Sequence, residues 1–394
     1  MSIKTIINPP QVKIENYDLI CFSHLRWDFV YQRPQHLISR FAKVYRTFFI
    51  EEPVQTTAES HFESRWIDNK LCVVIPRINS AQNEQQAEEE MRSLLTDFFE
   101  TSQINNSIFW YYTPMSLAYT DHLEPNLIVY DCMDELSAFK FAPPRLHELE
   151  QKLFEEADLV FTGGLSLYEH KKNQHKNIYA FPSSIDKEHF AQAREETVDP
   201  EDQADIPHPR FGFYGVVDER FDIELLDKVA EARPEWQFEI LGPVVKIDEA
   251  TLPRRHNIHY LGSKSYKQLP AYLAGWDVAM IPFARNESTQ FISPTKTPEY
   301  LAAGKPVIST SIRDVVEPYG TNKLVHIADT AEEFIAAAET ILSGTDQSGW
   351  LNRVDEFLED NSWDKTWMSM LRLMQMTIES KPQFNTKKKK EEYV

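Results

Sequence analysis

Apolar residues along this chain follow two alternating rhythms. Short runs rich in β-branched and aromatic residues, such as YDLICFS (17–23), YRTFFIE (45–51) and NLIVYDC (126–132), are separated by longer stretches of helical period. The short runs read as buried strands and the long ones as helices, and their alternation predicts β-α-β units around parallel sheets. In the first half, strands are expected at 17–23, 45–51, 71–76, 107–113, 126–132, 157–163 and 177–182, with helices at 34–43, 82–102, 143–156 and 166–174.

From about residue 186 to 209 the pattern breaks into an acidic, proline-punctuated segment poor in large apolar residues, which predicts a linker. The alternation then restarts. Strands are expected at 210–216, 237–243, 258–263, 276–283, 305–310 and 323–328, and helices at 222–232, 265–274, 298–303, 312–318 and 331–343. The segment 362–380 places apolar residues at 363, 367, 370, 371, 374 and 378, one face of an amphipathic helix that can cross back to the first half. The expected organisation is an α/β domain over 1–185, the linker 186–209, a second α/β domain over 210–361, the returning helix 362–380 and a tail 381–394.

A chain of 394 residues fits two such domains. Its formal charge of -20 argues against a nucleic-acid binder, because phosphate attraction needs a basic face. No apolar run reaches the roughly 18 residues of a membrane span and the N-terminus lacks the apolar core of a secretory signal, so a cytoplasmic protein is expected. Cys21, Cys72 and Cys132 sit far apart in strand-like runs, as reduced core thiols do. The four lysines of NTKKKKEEYV could touch an anionic membrane surface, although a solvated terminus explains them as well.

Two tandem open sheets bring the carboxyl ends of their strands to face each other, and ligands bind at such ends. The loops after strands are therefore where chemistry is expected. In SPTKTPEYLAAGKPVI (293–308), Thr297 fits a helix N-cap, Pro298 the first helical position and Gly304 the left-handed stop. The free N–H groups of that helix start, with Lys296 beside them, can hold a phosphate, and Glu299 can accept bonds from ribose or sugar hydroxyls. A capped helix with solvated charges fits the same residues.

The loop SHLRWDFVYQRPQHL (23–37) gathers His24, Arg26, Trp27, Asp28, Arg33 and His36. Rigid aromatic and hydrogen-bonding groups of this kind suit a sugar, though they also occur in structural loops. Asp131, Asp134 and Glu135 after the strand 126–132 suit acceptor binding, a base, or helix capping.

Beyond these readings, SPTKTPEYLAAGKPVIST resembles the nucleotide-sugar segment of GT-B-fold glycosyltransferases similar to family 4. FSHLRWDFVYQRPQHLISRFA, YDCMDELSAF and YGVVDERFDIELL are similar to a bacterial subgroup that includes teichuronic-acid and other cell-surface polysaccharide transferases. The resemblance spans about residues 17–380. It implies a GT-B fold, with two Rossmann-like domains facing a central cleft, an acceptor-side first domain and a nucleotide-sugar-binding second domain. It also implies sugar transfer from a nucleoside-diphosphate sugar to a glycan or lipid-linked acceptor, at the inner face of the plasma membrane where the acceptor is lipid-linked.

By the resemblance, Glu299 addresses the ribose, Lys296 with Thr295 and Thr297 the diphosphate and donor sugar, and Gly215 the diphosphate. Arg220 is a second candidate phosphate cation, alone where many relatives carry an Arg and a Lys. Eight positions before Glu299, where many family 4 enzymes carry a glutamate near the transferred sugar, stands Phe291. The sugar contacts are then expected from Asn286, Ser288, Thr289 or the backbone at Ser293.

The acids near Asp134 lack the Asp-x-Asp spacing of a metal-binding transferase, so no metal or other cofactor is expected, and Lys296, Arg220 and the helix start supply the positive charge. Retention is implied by the family. Under inversion, Asp28, His24 and Asp134 are the candidate bases. An epimerase of the same architecture and a non-catalytic carbohydrate-binding protein are the rival readings.

Overall fold

A computed structural model describes residues 17–381 except 82, 197, 345 and 346. The N-terminal segment read as lacking a signal and the lysine-rich tail lie outside the described residues.

The first sheet is built from β1 (Asp18–Ser23), β2 (Arg46–Glu51), β3 (Val54–Thr56), β4 (His61–Trp66), β5 (Leu71–Asn79), β6 (Ser107–Tyr111), β7 (Leu127–Cys132), β8 (Leu159–Thr162) and β9 (Ile178–Ala180). Their spatial order is β3-β5-β2-β1-β6-β7-β8-β9, parallel throughout except for β4, which runs antiparallel along β5. The second sheet holds β10 (Arg210–Tyr214), β11 (Gln237–Leu241), β12 (Ile258–Gly262), β13 (Val278–Ile281), β14 (Val307–Ser309) and β15 (His326–Ile327), in the order β12-β11-β10-β13-β14-β15. The two parallel α/β domains expected from the hydrophobic pattern are present.

Helices cover both faces of a parallel sheet, so its strands are buried on both sides and read as unbroken apolar runs. RFGFY of β10 is buried at every position. The strands missed in the sequence are the short β3 and the edge strand β4, HFESRW, which is largely exposed and charged and so carries no apolar signal.

Three further expectations are corrected. The segment 186–209 is not a bare linker: Asp186 caps the helix Lys187–Ala191, and Phe190 is fully buried in the second domain's core. The helix expected over 312–318 breaks into Arg313–Val315 and a wider turn, Val316–Gly320, with Glu317 in an extended conformation. Pro318 disfavours a helical residue before it. The helix expected to begin at Pro298 spans Lys296–Ala302 instead.

The last helix, Trp363–Ser380, returns to the first domain and packs its apolar face beside the helix Arg33–Phe41. Trp363, Met370 and Met374 are fully buried there, each such side chain stabilising the crossing by about 1.5–3 kcal/mol. All three cysteines are free and buried. Among the described residues, no helix is long and apolar enough to cross a membrane.

A second junction joins the domains. Asp314 of the second domain accepts from the backbone N–H groups of Leu165 and Ser166, each at 2.9 Å, and so caps the first-domain helix Leu165–Lys171. The Ser183 hydroxyl donates to the Ser293 carbonyl at 2.9 Å. A side chain on Gly164 would collide with both Asp314 and Ser293, so glycine permits this approach.

Candidate active site

Each sheet changes its direction of growth beside its first strand, at β1/β6 in one domain and β10/β13 in the other. Crevices at the carboxyl ends of such strands are where open α/β sheets bind ligands. Here the loops after β1 and β10 meet across a cavity of about 580 Å³. Residues 27–32 wall it from the first domain, and Gly215, Gly242, residues 263–267 and the start of the helix Lys296–Ala302 from the second.

The second-domain floor is built by close backbone approach. Gly215 and Gly242 end neighbouring strands with φ of +138° and +139°. A Cβ on Gly242 would lie 1.9 Å from the Gly215 carbonyl oxygen, and one on Gly215 would lie 2.4 Å from Cε of Lys296. Two glycines thus bring the ammonium against bare backbone. Its Nζ stands 5.6 Å and 5.7 Å from the ring centroids of Phe213 and Phe283.

Burial lowers the pKa of Lys296, and Arg220 lowers it further, while Glu299, Asp218 and Asp134 act in the opposite sense. Burial raises that of Glu299 against the pull of Tyr214 and Lys296. The Tyr214 hydroxyl donates to Glu299 Oε2, and the Tyr214 N–H is itself fixed by the Tyr300 hydroxyl at 3.0 Å. A ligand anion at Lys296 would offset the cost of keeping a buried cation.

A polar neck of about 80 Å³ adjoins the cavity, lined by Arg33, Asp134, Ser183, Arg220, Ser293 and Lys296, among others. Arg220 forks onto Asp218, with Nε to Oδ1 at 2.9 Å and Nη2 to Oδ2 at 2.7 Å. Burial pushes the Asp134 carboxyl up to about 6, with Arg220 and Arg33 opposing it. Lys296, Arg220 and Asp134, expected to act in catalysis, therefore converge from both domains. Asp28 is apart from them: it lies on the wall of the larger cavity, exposed and paired with Arg65.

Several expected contacts are spent on the protein itself. Arg33 binds Asp131 through Nε and Nη2, at 3.1 Å and 2.8 Å, and the Phe181 carbonyl through Nη1 at 2.7 Å. Asp131 is fully buried, so this pair ties the first helix to the sheet and Asp131 is not an acceptor contact. Arg26 holds Glu51 at 3.0 Å and the Glu52 carbonyl, while the Trp27 N–H binds Glu51 at 2.8 Å, an arrangement that shapes the loop on the cavity wall, with the Trp27 ring packed edge-on against Phe49. His24 lines neither space, and burial lowers its pKa to about 4, so it stays neutral.

Of the residues expected to bind the donor, Thr295, Lys296 and Glu299 line the larger cavity, and Ser293 lines the neck. Thr297 is corrected: the helix starts one residue before it, its side chain is fully buried, and Thr295 occupies the cap position without a side-chain bond. Pro298 is tolerated because the first four helical N–H groups have no intrahelical acceptor. Asn286 and Ser288 are corrected as well. Asn286 donates to the Glu219 carbonyl at 2.9 Å and accepts from the Ser288 hydroxyl at 2.7 Å, so both close the turn Glu287–Thr289 instead of facing either space.

Phe291 has a structural occupation. Its ring stacks on first-domain His170 with centroids 4.4 Å apart, in the seam between domains and outside both cavity linings. Sequence reasoning missed Gly242, Tyr214 and Tyr266. The Tyr266 hydroxyl is buried without a partner among the described residues, and the ring lines the cavity and lies 4.5 Å from that of Tyr31 across the cleft. The strand-ending glycine of QFEILGP (237–243) was the one available signal.

Residues 208–344 match the family model described as glycosyl transferases group 1. TuaH of Bacillus subtilis (strain 168), named for teichuronic acid biosynthesis as a glycosyltransferase, is 25% identical over 236 residues, 55% of this chain and 58% of that protein. The match thus spans less than two thirds of the curated relative's length. Sucrose-phosphate synthase from Thermosynechococcus elongatus superposes with a TM-score of 0.69 at 13% identity, over 93% of this chain and 100% of its own. Anabaena HepE in complex with UDP gives 0.64 at 11%, over 91% and 100%. With two parallel-sheet domains closing on one cleft, the chain has the GT-B fold of glycosyltransferases, and its residues 208–344 match the glycosyl transferases group 1 family.

Proposed function

We propose that this chain transfers a sugar from a UDP-linked donor to a hydroxyl of a glycan or lipid-linked acceptor, on the cytoplasmic side, without a metal and with retention at the anomeric carbon. The observation that carries the reading is the buried Lys296 ammonium, set against the Gly215 backbone at a helix start, with Arg220 and Glu299 beside the same cavity. UDP is suggested by the bound nucleotide of the HepE relative.

Transfer requires the departing diphosphate to be stabilised more in the transition state than in the bound donor. Lys296 and Arg220, which line the cavity and its neck, supply the positive charge for that step, and Glu299 accepts from the ribose hydroxyls. In a retaining reaction the leaving phosphate takes the acceptor proton, so no protein base is needed beside the acceptor. Asp134 then holds a substrate hydroxyl as an ionised acceptor.

UDP is expected to raise the melting temperature, by mass action worth about 2.7 kcal/mol at a hundredfold excess over Kd. Transfer is expected to persist in EDTA and to give a retained anomer by NMR. No thermal shift with any nucleoside diphosphate would sink the donor assignment, loss of transfer in EDTA the metal-independent one, and an inverted product the stereochemical one.

The Asp134 carboxyl, raised to about 6, is protonated below that pH and ionised above it. Accordingly kcat/KM should rise with pH through about 6, and bound diphosphate should move the kcat limb higher by opposing ionisation. Asp134→Asn should remove the limb and lower kcat/KM about tenfold. A pH–rate profile of the variant that keeps the limb would assign it elsewhere.

A further inference from the structure

After β7 the first domain sends a turn, Leu136–Ala138, to the lip of the cleft, and the next residue meets the donor side. The ring centroid of Phe139 lies 5.3 Å from Cζ of Arg220 and 5.4 Å from Nζ of Lys246, both on the second domain. The contact is anchored on either side. The Lys140 N–H donates to Glu219 Oε1 at 3.2 Å, and the Glu219 carbonyl accepts from Asn286 at 2.9 Å.

An aromatic face attracts a cation through its quadrupole, and more strongly when the cation is desolvated. Arg220 is mostly buried, and its Nε and Nη2 are committed to Asp218, which leaves Nη1 without a hydrogen-bond partner among the described residues. Lys246 adopts φ of +61°, a left-handed conformation that side-chain-bearing residues seldom take. A strained lysine and a half-committed arginine thus both turn to one ring borne by the other domain.

Resting on the donor reading above, we propose that Phe139 is a positioning residue for the diphosphate-binding cations. It holds Arg220 in the lining of the neck and Lys246 on the same ring, and because it belongs to the first domain, it does so only while the domains are together. The second domain's anion site is then completed by the acceptor domain. Donor affinity becomes linked to closure.

Calorimetric titration of UDP into the full chain tests this with Phe139→Leu, Phe139→Trp, Lys246→Met and the Phe139→Leu/Lys246→Met double variant. Leucine removes the π face, and UDP binding should weaken about fivefold, with tryptophan within about twofold of the parent. Lys246→Met should weaken it about threefold, and the double variant should fall short of the product of the two single losses, the mark of a shared contact. Parent-like affinity in Phe139→Leu, or a tryptophan variant as weak as the leucine one, overturns the proposal. If the Phe139 variants fail to fold by thermal melting, Lys246→Met decides alone, and unchanged affinity there overturns the proposal. A parent chain that binds no UDP would sink the donor reading and this proposal with it, whereas normal parent binding with an indifferent Phe139→Leu sinks this proposal alone.

Discussion

Replacement of Lys296 by methionine should lower kcat by about 10²–10³-fold, the scale of removing one preorganised donor from a developing oxyanion. KM should change far less, because Arg220 and Glu299 still hold the ground-state donor. The fold should survive the change. The ammonium stands near the rings of Phe213 and Phe283 in a buried site that lowers its pKa, so an apolar chain of similar length removes a desolvation cost there. Without the lysine, Glu299 loses the nearby positive charge that favours its ionised form, and its already raised pKa should rise further. Arginine should not restore activity, since the lysine stem passes against the Gly215 backbone, 2.4 Å from where a Cβ would fall, and a longer, planar guanidinium cannot put its charge where the compact ammonium stands. The checks are steady-state kinetics with a UDP-sugar and a thermal melt. A methionine variant within threefold of the parent kcat would show that another group carries the diphosphate charge.

The fold was legible where burial writes itself into composition. Parallel strands covered by helices on both faces are unbroken apolar runs, so the central strands of both sheets could be read from YDLICFS or RFGFYGV alone. β4 could not, because an exposed antiparallel edge is spelled with charges. Phe190 escaped because one buried aromatic within a short polar helix leaves no periodic trace.

At the site, helix-start chemistry and the resemblance pointed to Lys296 and Glu299, and these do line the cavity. Asp131 and Arg33 looked equally chemical in sequence, yet each neutralises the other in the interior. Which of two charges faces a ligand depends on distances between strands far apart in the chain. The same limit applies to Phe291, whose partner His170 lies in the other domain. It applies also to Gly242, whose role exists only through its contact with Gly215.

Gly242→Ala should therefore be the most damaging single methyl group in the proposed donor site. Two costs add at this position. The backbone φ of +139° lies where only glycine rests without strain, and the new Cβ would lie 1.9 Å from a carbonyl oxygen of the neighbouring strand end, which cannot rotate away as a side chain could. Strain of about 1–3 kcal/mol and overpacking of a similar size together predict a loss of about 2–6 kcal/mol. Gly262→Ala separates the two terms, since its φ of +70° is also left-handed but nothing stands within 4 Å of the added atom. That variant should lose only about 1–2 kcal/mol, the strain alone. Urea denaturation gives both differences. Relief of the clash must push Gly215 away from β11, and Gly215 is what Lys296 rests against, so the surviving folded fraction of Gly242→Ala should also bind UDP at least tenfold more weakly. An alanine variant at 242 as stable as the one at 262, with parent affinity for UDP, would mean that the packed glycine pair is not what seats the lysine.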